Sequence, residues 1–247
     1  IGAIDFNVLM MIAGTMGIVS FFIESKMPMR IADVMLSKFK NVKMAIVAMA
    51  VFAGVVSAFM DNVATVLIVA PIAFAVCKKQ NISPIAPIIC IAVSSNLQGA
   101  ATLVGDTTSI LLAGQMQMTF IDFFWYDGRP GMFFAVELGA ALTVVILLII
   151  FRKEKQPLTI MGETKVTDYF PTILLLIVVA CLIGASFIPE PTNAVAKTFF
   201  DLRNGIICMG LLLVGVIYNI CKNKNLEGTK NMLKEMDYET LLLLASL

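Results

Sequence analysis

The feature that most constrains this chain is repetition: apolar stretches follow one another from end to end, separated by short charged loops. They cover residues 6–23, 44–76, 84–120, 132–151, 170–188 and 205–221, with a last apolar run opening at 240–247. A helix rises about 1.5 Å per residue, so a hydrocarbon core of about 30 Å needs roughly 20 such residues. Composition agrees, with 59% hydrophobic and 14% charged residues and a mean hydropathy of +0.92. The expected fold is an all-α polytopic membrane protein, because in lipid each backbone polar group must be satisfied within the protein.

Charge and residue usage exclude several other roles. A net charge of +1 offers no basic surface for nucleic acid. With no histidine in the chain, imidazole proton relays and His-ligated metals are ruled out. Cys77, Cys90, Cys181, Cys208 and Cys221 lack metal-type spacing and read as small buried hydrophobes. The sixteen methionines read as packing filler. No basic n-region precedes the first apolar run, so there is no signal peptide pattern; the opening reads as a segment whose upstream part is missing.

Taken in order, residues 6–23 are a first span in which Gly14 and Gly17 allow a neighbouring helix to approach closely. Residues 24–43 form a basic amphipathic stretch, with Ile31, Val34, Met35 and Phe39 set against Arg30, Asp33, Ser37 and Lys38, which suits a helix lying on the membrane surface. Two apolar arms follow, 44–60 and 63–76, broken by Asp61-Asn62. A carboxylate and an amide there are costly to bury without partners, so they read as part of a binding site. A plainer reading has them form a solvated turn that caps the second arm.

Residues 84–120 hold a second interrupted run. The polar patch Ser94 to Gly99, a short apolar AATLV, and then Gly105-Asp106-Thr107-Thr108-Ser109 suggest one span broken at its centre. Such discontinuous helices expose backbone groups and half-helix ends that bind ions. The Ser94–Gln98 patch also fits plain interhelical hydrogen bonding. Phe123 to Tyr126 beside Asp127-Gly128-Arg129-Pro130 marks an interface turn. Glu137 lies early in the next span and reads as snorkelling or helix-paired near the surface rather than ion-binding.

Loop charges test this layout. If the two arms form a hairpin, Lys26, Arg30, Lys38, Lys40, Lys43, Lys78, Lys79, Arg152, Lys153, Lys155, Lys165, Lys222, Lys224, Lys230 and Lys234 share one side. Only Arg129, Lys197 and Arg203 of the 18 basic residues remain opposite. Treating 44–76 as a single crossing nearly equalises the two sides. The positive-inside rule therefore favours a hairpin with the basic loops in the cytoplasm, without deciding between re-entrant and fully spanning arms.

Residues 4–14 also align without gaps to 236–246, sharing Asp5 with Asp237, Leu9 with Leu241 and Ala13 with Ala245. Five net crossings between them would give opposite entry, as an inverted repeat requires. The layout expected is thus 1–43, a first span and surface helix; 44–122, a transport-type region; 123–235, further spans and a linker; and 236–247, the start of a second repeat.

The hairpin Ser57 to Leu67 followed by Ser95 to Asp106 resembles the ion transporter superfamily, particularly its arsenite permease and NhaD-type sodium/proton antiporter branch, with the divalent anion/sodium symporters as more distant relatives. Those symporters carry Ser-Asn-Thr where this chain has Asp61-Asn62-Val63, and many relatives carry a Pro-Pro-Asn break where it has Asp106-Thr107-Thr108-Ser109. The resemblance implies scaffold and transport domains, a homodimer in the bilayer, elevator-type movement, and a re-entrant hairpin whose tip meets the broken helix. It also implies a secondary active transporter of a small inorganic or organic ion, driven by a sodium or proton gradient, in a prokaryotic inner membrane. The substrate- and ion-binding positions are then Asp61, Asn62, Thr65, Ser95, Asn96, Gly99, Thr102, Gly105, Asp106, Thr107 and Thr108. Asp61, Asn62, Asp106 and Thr107 are the expected sodium ligands, and no organic cofactor is expected. A sodium-coupled di- or tricarboxylate symporter is the alternative. A passive channel and an intramembrane aspartyl protease, the latter suggested by Gly105-Asp106 with Asp61, are the readings of other classes.

Overall fold

The computed structural model describes residues 5–154, 156, 157, 164–189, 191, 194–224 and 227–246. Ile4, Lys155 and Leu247, which enter the readings above, lie outside them. Helices dominate: α1 Phe6–Glu24, α2 Met27–Leu36, α3 Val42–Ser57, α4 Asn62–Gln80, α5 Ile85–Gly99, α6 Thr107–Met116, α7 Met132–Ile150, α8 Phe170–Ser186, α9 Ala194–Asp201, α10 Arg203–Asn223, α11 Glu227–Glu235 and α12 Tyr238–Ser246. A two-residue pair of strands, β1 Trp125–Tyr126 and β2 Arg129–Pro130, is antiparallel. Its turn residues Asp127 and Gly128 both have positive φ, the conformation that tight hairpins demand and that Asp-Gly supplies cheaply. Among the described residues three helical segments, Phe6–Glu24, Met132–Lys153 and Arg203–Lys222, are long and apolar enough to cross a membrane.

The chain divides into two compact units, one of residues 1–25, 110–122 and 168–247, the other of 26–109 and 123–167. In the first unit α1 packs along α10, and small residues make this possible. A methyl group at Gly14 would lie 2.7 Å from the Cys208 carbonyl carbon, and one at Gly17 would lie 2.6 Å from Leu212. The polar ends are tied as well: Asn7 Oδ1 accepts the Gly205 N–H at 2.8 Å. α8 joins the pair at its charged end, where Asp168 takes Lys222 Nζ at 2.8 Å and Phe170 stacks on Tyr218 with ring centroids 3.7 Å apart.

Both residues of the aligned Asp pair open helices. Asp5 accepts the N–H groups of Asn7 and Val8, and Asp237 accepts that of Thr240 at 3.0 Å, satisfying donors that a helix start leaves orphaned.

In the second unit three chain ends are fastened together. Val42 N–H donates to the Gln156 carbonyl at 3.0 Å, Lys43 N–H donates to the Glu154 carbonyl at 2.9 Å, and Gln80 Nε2 donates to the Pro157 carbonyl at 3.2 Å. The start of α3, the end of α4 and the end of α7 therefore share one face, so α3 and α4 form a hairpin, as the loop charges require.

Several boundaries differ from the sequence reading. The amphipathic stretch is helical only over Met27–Leu36, because Ser37 and the two residues after it turn to meet Asp33, Met35 and Leu36 carbonyls; Ile31 and Val34 are exposed as expected. The Ser94–Gly99 patch is not part of a break but the last turns of α5, since its polar side chains find partners sideways and leave the backbone free to stay helical. The interruption is confined to Ala100–Asp106. Helices α9 and α11 were not expected, being too short or too polar to register as apolar runs.

Candidate functional site

The break and the hairpin tip meet in the second unit. α3 ends at Ser57 and α4 begins at Asn62, while α5 ends at Gly99 and α6 begins at Thr107. Two helix C-termini thus lie close to two helix N-termini, whose end carbonyls and N–H groups have no partners within their own helices.

Gly105 shows how tight the junction is. A methyl group there would lie 2.5 Å from the Gly99 carbonyl oxygen, 2.8 Å from that of Ser57 and 3.0 Å from that of Ala58. Only a residue without a side chain fits among three backbone oxygens. Gly99 plays the matching role at the end of α5, where a methyl group would meet Asn62 Oδ1 at 3.3 Å and Asp106 Cβ at 3.4 Å. The structure therefore brings Asn62, Gly99 and Asp106 together.

A hydroxyl network holds the junction. Ser95 Oγ donates within reach of Ser57 Oγ at 3.1 Å and the Asn62 carbonyl at 3.2 Å. Thr102 Oγ1 donates to the Ala58 carbonyl, and Ser109 Oγ reaches the Gly99 carbonyl at 3.5 Å. Ser57, Ser95, Thr102 and Ser109 are almost wholly buried, where an unpaired hydroxyl would be costly.

The predicted site residues divide by what occupies them. Asp61 caps α4, its Oδ2 accepting the Ala64 N–H at 3.0 Å, so the capping role and the place at the tip hold together. Thr65 is buried and turned back to the Asp61 carbonyl at 3.0 Å. Asp106 accepts Thr108 Oγ1 at 2.7 Å and Thr107 Oγ1 at 3.4 Å. Asn62 Nδ2 donates to Asn96 Oδ1. Asn62 Oδ1, by contrast, is buried and has no hydrogen-bond partner. Among the described residues no three acidic, cysteine or histidine side chains cluster as a metal site; the oxygens here come mainly from amides, hydroxyls and backbone.

Four residues at or next to this junction were not among the expected ion-binding positions. Ser57 opens the hairpin motif and Ser109 closes the Gly105–Ser109 run, and neither was singled out within it. Gln98 and Glu137 form a pair: Gln98 Nε2 donates to Glu137 Oε1 at 3.1 Å. Of the two roles read for Glu137 the paired one is observed, but inward to α5 rather than by snorkelling at the surface. The reason is packing, since Val136 beside it lies against Ala58 and Ala101 in one cluster.

Over its whole length, residues 1–247, the chain matches the model of the citrate transporter family, CitMHS. The chain belongs to that family. Several known proteins are similar to parts of it. A "46 kDa membrane protein" of Mycobacterium leprae is 30% identical over 193 residues, 77% of this chain and 42% of that protein. An "uncharacterized transporter" of Mycobacterium tuberculosis is 45% identical over 67 residues, 27% of this chain and 16% of that protein. The human P protein is 26% identical over 154 residues, 62% of this chain and 18% of its own length. The chain thus spans less than half the length of these relatives. Family and apolar helices together make it an integral membrane protein.

Proposed function

We propose that the junction of hairpin tip and break is the substrate and ion site of a secondary active transporter, driven by a sodium or proton gradient and moving a small carboxylate such as citrate. The observation that carries this reading is the convergence of Asn62, Gly99 and Asp106, with Asn62 Oδ1 buried and unpartnered. A buried acceptor without a donor costs roughly 1–3 kcal/mol, which a bound cation or a ligand hydroxyl would recover. Apart from the Ala64 N–H that Asp61 holds, the first-turn N–H groups of α4 and α6 offer partners to an anion. Asp61, Asp106, Asn62 and Thr107, with nearby backbone carbonyls, offer hard oxygens to sodium. Opposite charges are thereby given adjacent places, which suits co-transport of a carboxylate and a cation.

α3, at about 24 Å, is shorter than a hydrocarbon core of about 30 Å, which supports a re-entrant tip. Basic loops facing the cytoplasm of a prokaryotic inner membrane, a homodimer, an inverted repeat and elevator movement belong to the same proposal. One observation favours a second reading, an arsenite permease or sodium/proton antiporter: the tip reads Asp61-Asn62-Val63 rather than the Ser-Asn-Thr typical of anion symporters.

The test is Asp106→Asn in the full-length transporter, reconstituted in vesicles. Gradient-driven citrate uptake is expected to fall at least about tenfold while the protein stays folded by circular dichroism. Undiminished coupled uptake would sink the proposal, and sodium/proton exchange without citrate flux would favour the second reading.

A further inference from the structure

The Gln98–Glu137 pair lies outside the junction yet is covalently next to it, since Gly99 follows Gln98. Glu137 is five residues into α7, about 8 Å along a helix that continues for about 20 Å beyond it, so it sits within the apolar span. Gln98 is 8% exposed, and its Nε2 donates to Glu137 Oε1 at 3.1 Å. Its Oε1 is buried and has no partner. A methyl group on Gly54 would lie 2.9 Å from Gln98 Cγ, so α3 hems the side chain in.

This arrangement is incomplete in a specific way. A primary amide and a carboxylic acid close two hydrogen bonds in a ring: the amide N–H donates to the acid carbonyl, and the acid O–H donates to the amide carbonyl. One of the two is present here. The other needs a proton on Glu137. Without it the amide oxygen is left buried and unpartnered, which is costly.

We propose that Glu137 is a proton-binding site of the transport cycle and that Gln98 transmits its protonation to the break. Uptake of one proton from water turns the Glu137 carboxylate into a carboxylic acid, completes the ring with Gln98 and holds the last turn of α5. Release of that proton to water frees Gln98 and so loosens the turn carrying Gly99 against Asn62 and Asp106.

Among the described residues, the titratable groups on α5 and α3, which pack against α7, are Cys90, about 12 Å along the helix from Gln98, and Lys43, about 22 Å from the tip, and Asp61 stands in the turn after α3, where it caps α4. Arg152 and Lys153 follow the far end of α7. Tyr126, Asp127 and Arg129 of the strand pair are exposed. Asp106, across the break, is engaged by Thr107 and Thr108.

The inference rests on the transport reading, and two measurements separate them. In vesicles holding the full-length transporter, Glu137→Gln keeps a two-bond amide pair but cannot titrate. Citrate counterflow should stay within about twofold of the parent, while accumulation driven by a pH gradient falls at least about tenfold. Glu137→Asp, which can still titrate, should restore part of it. Undiminished pH-driven accumulation in Glu137→Gln would overturn the inference. Independently of any substrate, infrared difference spectra of the purified protein titrated across about pH 5 to 9 should show a protonated-carboxyl band that Glu137→Gln removes and Gln98→Leu shifts. If the parent moves no citrate, the transport reading fails and the infrared titration still decides the proton site. A band unchanged by Glu137→Gln overturns it.

Discussion

The α1–α10 pair and the α3–α5 region draw on the same apolar residues and use glycine for opposite purposes. In α1, Gly14 and Gly17 remove side chains so that two continuous helices can touch. At the break, Gly99 and Gly105 remove side chains so that backbone oxygens and polar side chains can gather around an interruption. The polar inventory follows that difference. Of the ten buried polar side chains among the described residues, Ser57, Thr65, Ser94, Ser95, Gln98, Thr102 and Ser109 lie in the second region, leaving only Ser20, Ser25 and Asn204 elsewhere. Close packing of helices needs shape alone, whereas an interrupted helix must also satisfy freed N–H and carbonyl groups.

The sharpest way to break this comparison is to put the same methyl group into both places. Gly105→Ala is expected to cost about 3 kcal/mol, at the upper end of overpacking, because the intruding carbon meets three backbone oxygens that cannot rotate away. Thermal melts in detergent should show the loss, and the folded remainder should not transport. Gly14→Ala is expected to cost about 2 kcal/mol by the same mechanism, yet flux per folded molecule should persist. Equal loss of specific flux in both variants would erase the distinction between packing glycine and site glycine.

Thr102→Val sharpens the polar side of the comparison. It keeps the shape and deletes the donor to the Ala58 carbonyl, with an expected cost of about 1–2 kcal/mol and weakened substrate-induced protection of α3's last turn in hydrogen exchange. A melt and exchange pattern like the parent's would mean that the hydroxyl network does not hold the junction.

The smallest effect is at the start of α12, outside the spanning helices. The Asp237 carboxyl is held below its ordinary value, first by the Thr240 hydroxyl and then by the Thr240 N–H. A carboxyl lowered in the folded state stabilises it fully above the unfolded value and loses that contribution as pH falls through the folded one. Amide exchange at Thr240 should therefore quicken, relative to the intrinsic rate, only below about pH 4. Quickening between neutral pH and about pH 5 would assign the cap to another group.

Much of this was legible in the chain. The apolar runs, the hairpin and the interruption near Gly105-Asp106 follow from how expensive polar groups are in lipid, and basic loops are sparse enough to count. Boundaries were less legible: the Ser94–Gly99 patch looks like a break because its side chains are polar, but a helix tolerates them when Ser57, Asn62 and Glu137 stand opposite to bond them. For Glu137 the sequence offered helix pairing as one reading but not the partner, because Gln98 is distant in sequence.

By itself, then, the sequence determined that this is a helical membrane protein, where its apolar runs lie, and which two stretches could not be continuous helix. Those properties depend on local hydrophobicity and on charge counts, which neighbours in the fold do not alter. Only the tertiary structure decided that Gly105 sits among three carbonyl oxygens, that Asn62 keeps an unpartnered oxygen beside Gly99 and Asp106, and that Gln98 reaches Glu137. Such pairings depend on how helices are rotated and set against one another, and in a chain apolar on nearly every face no periodicity records that choice.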